Sequence, residues 1–117
     1  MAQENPEELG IDPEELARRL AGEPDLQVID VREPYEREAG HIAGTRHIQL
    51  TVLAEQADTI DREKPVVFYC RVGARSDMAA QALRASGFRA YSMRGGLVRW
   101  ASEDRPLAPE GGRVAEH

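Results

Sequence analysis

The 117-residue chain contains a single cysteine, and this scarcity excludes any disulfide framework within it. A lone thiol agrees with a reducing compartment, and the cytoplasm is the expected location. Histidine is nearly as scarce. His41, His47 and His117 show no ligand pairing at the short spacings of metal sites, so neither a metal nor a cofactor is expected. Long apolar runs are missing as well: none approaches the roughly 20 residues needed to cross a bilayer. Residues 1 to 8 lack the basic segment followed by an apolar one that marks export, so no membrane association is expected. Nor is there a basic excess. A formal net charge of -6 argues against nucleic acid or an anionic surface as a partner.

What is present, 41% hydrophobic and 31% charged residues with ten glycines and seven prolines, is the composition of a globular protein without repeats. The length fits one domain with one core, and a monomer is the default at this size. Residues 9 to 107 form the expected domain. Residues 1 to 8 are acidic and polar, and 108 to 117 carry Pro109-Glu110-Gly111-Gly112, so both ends are expected to be flexible.

The one cysteine, Cys70, stands where an apolar run ends and a cationic, glycine-containing turn begins: Val66-Val67-Phe68-Tyr69-Cys70-Arg71-Val72-Gly73-Ala74-Arg75-Ser76. Val66 to Tyr69 is short, β-branched and aromatic and reads as a buried strand, whereas Ala74 to Ser86 has helical spacing. Cys70 therefore falls at a strand-to-helix turn. Unpaired N–H groups and the helix dipole favour negative charge there, and a thiolate is one such charge. Free cysteines commonly act as small buried hydrophobes. That role requires neither two arginines within five residues nor a glycine permitting close backbone approach, so Cys70 is read as a nucleophile.

Strands and helices alternate along the rest of the chain. Asp12-Pro13-Glu14-Glu15 begins a first helix, with Asp12 as N-cap and Gly22 at its close. Leu26 to Val31 is an aliphatic strand with Asp30 at its C-terminal end, followed by a polar connection from Arg32 to Gly40. A weak strand over Thr45 to Ile48, a short helix over Val52 to Ile60, a strand over Arg89 to Met93 and a final helix carrying Leu97, Val98 and Trp100 complete the pattern. Gly87 is the expected C-cap of the helix after Cys70. The alternation predicts an α/β fold with a mainly parallel central sheet flanked by helices on both faces, its ligands bound beyond the carboxyl ends of the strands. Leu97 and Trp100 read as core, His47 as an edge residue, and Glu33 and Glu36 as solvated charges.

Four segments in order resemble the single-domain rhodaneses, or rhodanese-like sulfurtransferases: Val28-Ile29-Asp30-Val31-Arg32-Glu33, Gly40-His41-Ile42-Ala43-Gly44-Thr45, the loop Cys70 to Ser76, and Gly95-Gly96 followed by Trp100 and Pro106. The resemblance implies a single rhodanese-like domain and a ping-pong reaction. Cys70 takes a sulfane sulfur from a small anionic donor such as thiosulfate, holds it as a persulfide, and passes it to cyanide, a thiol or a carrier protein. Arg71, Val72, Gly73, Ala74, Arg75 and Ser76 form the donor cradle, with the side chains of Arg71 and Arg75 holding the oxyanion and Arg75 ranked slightly first. Asp30 and Arg32 support the site or form a plain strand-end ion pair, and His41 anchors its loop by hydrogen bonding. Asp104 departs from the pattern, standing where the family often has glycine; aspartate tolerates the left-handed conformation such a turn needs.

Two other readings exist. One is a cysteine-dependent phosphatase or arsenate reductase on the same fold, although four residues between Cys70 and Arg75 make a narrower cradle than the related phosphatases use, and Tyr69 stands where they have histidine. The other is a non-catalytic binding module that keeps the loop.

Overall fold

The computed structural model describes residues 8–116. Five strands form one sheet: β1 (Gly10–Ile11), β2 (Gln27–Asp30), β3 (Arg46–His47), β4 (Val66–Tyr69) and β5 (Ala90–Met93). Their order is β1-β5-β4-β2-β3, and every adjacent pair is parallel. The helices are α1 (Pro13–Gly22), α2 (Pro34–Ala39), α3 (Leu53–Gln56), α4 (Ala74–Ala85) and α5 (Gly96–Ser102), with 3-10 turns on either side of α3.

The central strand shows why this sequence makes two layers of core. Successive side chains of a strand point to opposite faces, so Val66, Phe68 and Cys70 pack with Leu53, Ala79, Ala80 and Leu83 of α3 and α4, while Val67 and Tyr69 pack with Leu16, Leu97 and Trp100 of α1 and α5. All four β4 residues are fully buried. Full burial of side chains of this size stabilises by about 1.5–3 kcal/mol each, which makes β4 the energetic spine of the sheet.

Parallel pairing aligns the carboxyl ends. Asp30 is in register with Tyr69, and Val31 donates to the Tyr69 carbonyl at 3.0 Å, so the chain leaves β2 and β4 at the same edge. At the far end of α4, Gly87 adopts φ +95°, its N–H donates to Arg84 and that of Phe88 to Leu83, the paired bonds of a glycine-terminated helix.

Several expectations are corrected. The connection from Arg32 to Gly40 contains α2, and the helix expected over Val52 to Ile60 is only four residues of α-helix between 3-10 turns. Asp12 occupies the N-cap position of α1 but makes no capping bond, because Arg94 and Arg99 claim its carboxylate at 3.0 and 3.1 Å. These two guanidiniums also hold it below the ordinary carboxylate range, the Arg94 hydrogen bond foremost.

The largest difference concerns the C-terminal segment. His41 and Ala108 exchange backbone bonds of 2.8 and 2.7 Å, Arg113 donates to Ala39 at 2.8 Å, Val114 packs against the α1–α5 core, and Ala115 is buried. Residues 108 to 116 are thus laid against the domain rather than loose. The composition that suggested flexibility makes a tight turn instead, in which Gly112 donates to Pro109 at 2.7 Å. The ends at 1 to 7 and 117 lie outside the described residues.

Candidate active site

Cys70 follows β4 directly, and α4 begins four residues later. The intervening turn requires Gly73, whose φ of +115° is costly for any residue with a Cβ. In this conformation the Gly73 N–H donates to Cys70 Sγ at 3.1 Å, and the Ser76 N–H, in the first turn of α4, donates at 3.4 Å. The other loop N–H groups do not bond to the sulfur. Ser76 Oγ lies 3.6 Å from Sγ and 2.7 Å from Ser92 Oγ, which β5 supplies from the adjacent strand. Both serines are wholly buried.

A second helix closes on the same loop. Leu97 and Val98, in the first turn of α5, donate to the carbonyls of Cys70 and Arg71 at 2.8 and 3.0 Å. This approach explains Gly96: a Cβ there would lie 2.4 Å from the Arg71 carbonyl oxygen, and φ is +63°. The Gly95-Gly96 pair is therefore a condition of the site as well as of the turn.

The two loop arginines have different fates. Arg75 makes a forked pair with Glu36 at 2.8 and 2.9 Å, and Glu36 is wholly buried rather than a solvated charge. Burial pushes the Glu36 carboxyl up, but hydrogen bonds from Arg75 and the Glu33 N–H, with the charges of Arg75 and Arg32, outweigh it and hold the group below the usual carboxylate range. Arg71 has no carboxylate partner among the described residues. Its Nε donates to the Ala115 carbonyl at 3.1 Å. Cys70, Arg71, Val72, Ala74 and Arg75 line a cavity of about 180 Å³. Larger hollows, of about 400 Å³ beside Asp12 and Arg94 and about 340 Å³ between Leu20, Ile42 and Trp100, have neither a thiol nor an imidazole in their walls.

None of Asp30, Arg32 and His41 bonds to the sulfur. Arg32 is fully buried and forks onto Asp30 at 2.8 and 2.8 Å, while its Nη2 also reaches the Gly40 carbonyl at 2.7 Å. Arg32 Nη1 has no partner among the described residues, and the guanidinium carbon lies 5.8 Å from the Tyr69 ring centroid. His41 Nδ1 is 3.1 Å from the Arg37 carbonyl, in keeping with an anchoring contact. His47 Nε2 lies 2.7 Å from the Arg32 carbonyl. Tyr69, Thr45 and Ile42 complete the platform: the Ile42 N–H and Thr45 Oγ1 both lie 3.0 Å from the Tyr69 hydroxyl.

Three residues with buried contacts here do not read as site residues from the sequence: Glu36 reads as a solvated charge, and Ser92 and Ala115 are not named as candidates. Glu36 carried a signal, since Glu33-Pro34-Tyr35-Glu36 places proline at the first position of a helix and glutamate at the third, where it accepts from the Glu33 N–H at 3.1 Å. Ser92 and Ala115 carried none, because a small polar residue in a strand and an alanine near a terminus are unremarkable locally.

Residues 12–103 match the family described as the rhodanese-like domain. The chain belongs to this family. It is 37% identical over 103 residues to a sulfurtransferase of Allochromatium vinosum, covering 86% of this chain and 96% of the relative. It is 38% identical over 85 residues to the thiosulfate sulfurtransferase GlpE of Coxiella burnetii, covering 72% and 79%. Among solved structures, a rhodanese-related protein from Thermoplasma volcanium superposes with a TM-score of 0.78 at 29% identity, covering 85% of this rhodanese-like chain and 96% of that one. No helix among the described residues is long and apolar enough to cross a membrane.

Proposed function

We propose that this rhodanese-like protein is a thiosulfate sulfurtransferase that works through a persulfide on Cys70. The observation that carries the reading is the sulfur's setting: Sγ accepts from the N–H groups of Gly73 and Ser76 beside a small cavity that is also lined by Arg71, which has no carboxylate partner among the described residues. N–H donors fixed in advance around a nucleophile favour its anionic form without reorganisation.

In the first half-reaction the Cys70 thiolate attacks the outer sulfur of thiosulfate. A new S–S bond forms, the sulfur–sulfur bond of the donor breaks, and sulfite departs with the electron pair, leaving Cys70 as an anionic persulfide. In the second, a thiolate or cyanide attacks the terminal sulfur and the Cys70 thiolate is released. Charge and electrons balance in each half, so no external oxidant or cofactor takes part. The N–H groups of Ala74 and Arg75, at the first two positions of α4, have no partner within the helix, and in this reading they receive the negative terminal sulfur. Arg71 meets the departing sulfonate oxygens, while Arg75 is shared with Glu36.

The test is intact-mass spectrometry after incubation with thiosulfate. The reading requires the reduced protein to gain the mass of one sulfur atom, Cys70→Ala to gain none, and cyanide to remove the addition as thiocyanate. No addition to reduced wild type would overturn the reading and leave the binding-module alternative. Hydrolysis of an aryl phosphate that depends on Cys70 would favour the phosphatase alternative.

A further inference from the structure

The segment beyond Leu107 runs along the carboxyl edge of the sheet and ends at the active loop. It starts with the His41–Ala108 backbone pair, turns at Gly112, passes so close to Gly40 that a Cβ there would lie 2.4 Å from the Arg113 carbonyl oxygen, and buries Ala115. The Ala115 carbonyl then accepts from Arg71 Nε at 3.1 Å, and the Glu116 carbonyl accepts from the Tyr35 hydroxyl at 3.2 Å. The segment itself, residues 108–116, lies outside residues 12–103, the part matched to the family, whereas its partners lie inside it.

We propose that residues 113–116 are a strap that positions Arg71 as the anion-binding cation of the active site. The proposal rests on the sulfur-transfer reading above and assigns its donor contact. The two loop arginines make the case by contrast. The Arg75 fork is filled by a buried carboxylate, which offsets its charge and occupies both of its Nη atoms. Among the described residues Arg71 is held through Nε alone, and by a neutral carbonyl, so none of them offsets its charge and neither Nη has a partner. A guanidinium fixed this way keeps the geometry that grips two oxygens of a sulfonate, and the ligand is spared the ordering of a long flexible side chain. The ligand class is a small oxyanion, with thiosulfate as the donor. The strap is a positioning element and does not touch the reacting sulfur.

The experiment compares the full chain with two full-length variants, Ala115→Trp and Ala115→Leu, which overfill the buried alanine site to different extents without adding charge. Each is assayed for steady-state transfer and, with Cys70→Ser in place so that no sulfur moves, for thiosulfate binding by calorimetry. Both strap variants are expected to raise the KM for thiosulfate and its Kd about fivefold, as when one long side chain must be ordered by the ligand, with kcat and the acceptor KM within about twofold. Adding Ala115→Trp to Arg71→Ala is expected to change nothing further, since the strap acts through that side chain. An unchanged KM and Kd in a folded strap variant, or strap and Arg71 effects that multiply independently, would overturn the proposal. If wild type forms no persulfide the catalytic reading fails, while the binding arm still decides on the strap.

Discussion

Glu36 and Arg75 form a two-point ion pair across α2 and the active loop, with the carboxylate wholly buried and the guanidinium partly so. The pair ties the first turn of α2 to the turn that carries Cys70, so its loss is felt in the shape of that turn as well as in stability. Glu36→Gln keeps the size of the side chain and removes the charge. Breaking a buried pair from one side typically costs about 3–5 kcal/mol, and the partial exposure of Arg75 places this one near the lower figure. Because Glu36 is held below the usual carboxylate range, its stabilisation is fully present above the unfolded value of 4.5 and is lost as pH falls through the folded one. Urea titrations should therefore show a constant gap between wild type and Glu36→Gln from pH 6 to 8. The gap should close in acid. A gap that widens in acid would contradict the pairing.

Tyr69 gives the opposite pH signature. Burial, with a smaller push from the Asp30 charge, raises its phenol to about 12 against the hydrogen bonds of Thr45 and Ile42. A raised folded value means that its contribution is fully present below the unfolded value of 10.0 and is lost as pH rises through the folded one. In the folded protein the phenolate absorbance of Tyr69 should rise only near pH 12 or together with unfolding, and Tyr69→Phe should abolish that late step. The substitution also leaves the Ile42 N–H without its partner, at a cost of about 1–3 kcal/mol measurable by denaturation at neutral pH.

Asp104 is the only described residue other than glycine with positive φ, at +61°. The left-handed conformation costs residues with a Cβ about 1–2 kcal/mol, and aspartate tolerates it better than alanine. Asp104→Ala should accordingly lower stability by about 1 kcal/mol, whereas Asp104→Gly should hold or raise it. Thermal melts of the three proteins give the order. Alanine as the most stable of the three would show that the turn's strain is not what selects the residue.

The parts of this molecule written in local pattern were readable from the sequence, and the parts written in tertiary contact were not. β2, β4 and β5 are aliphatic or aromatic runs whose burial the pattern demands, and Cys70 is placed by the strand before it and the helix after it. The left-handed turn at Asp104 was expected from the resemblance to a family that often has glycine there, rather than from local pattern. β1 is two residues long and gains its identity only by pairing with β5, so no periodicity could reveal it. Asp12 has the chemistry of a cap, but two arginines 82 and 87 residues away claim its carboxylate. Glu36 likewise reads as solvent-exposed until a loop 39 residues on supplies a cation. The ranking of Arg75 over Arg71 as the donor's cation is reversed under the proposed function for the same reason: the carboxylate that occupies Arg75 is distant in sequence.

Ser92 offers a last measurement, because its hydroxyl has one partner among the described residues, Ser76 Oγ at 2.7 Å. A buried hydroxyl proton without an acceptor costs about 1–3 kcal/mol, so Ser92 donates to Ser76. The Ser76 proton is then left for the Gly73 carbonyl at 3.2 Å or for Sγ at 3.6 Å, and it turns toward sulfur when sulfur is anionic. A donor behind Ser76 polarises this bond, by about 10–30% in condensed-phase estimates. Ser92→Ala should slow alkylation of Cys70 by iodoacetamide at neutral pH about twofold to fivefold, whereas Ser76→Ala should do so more strongly. In the Ser76→Ala background, Ser92→Ala should have no further effect, because its influence passes through the Ser76 oxygen. Two serine effects that simply multiply would show that Ser92 acts on the sulfur by packing alone.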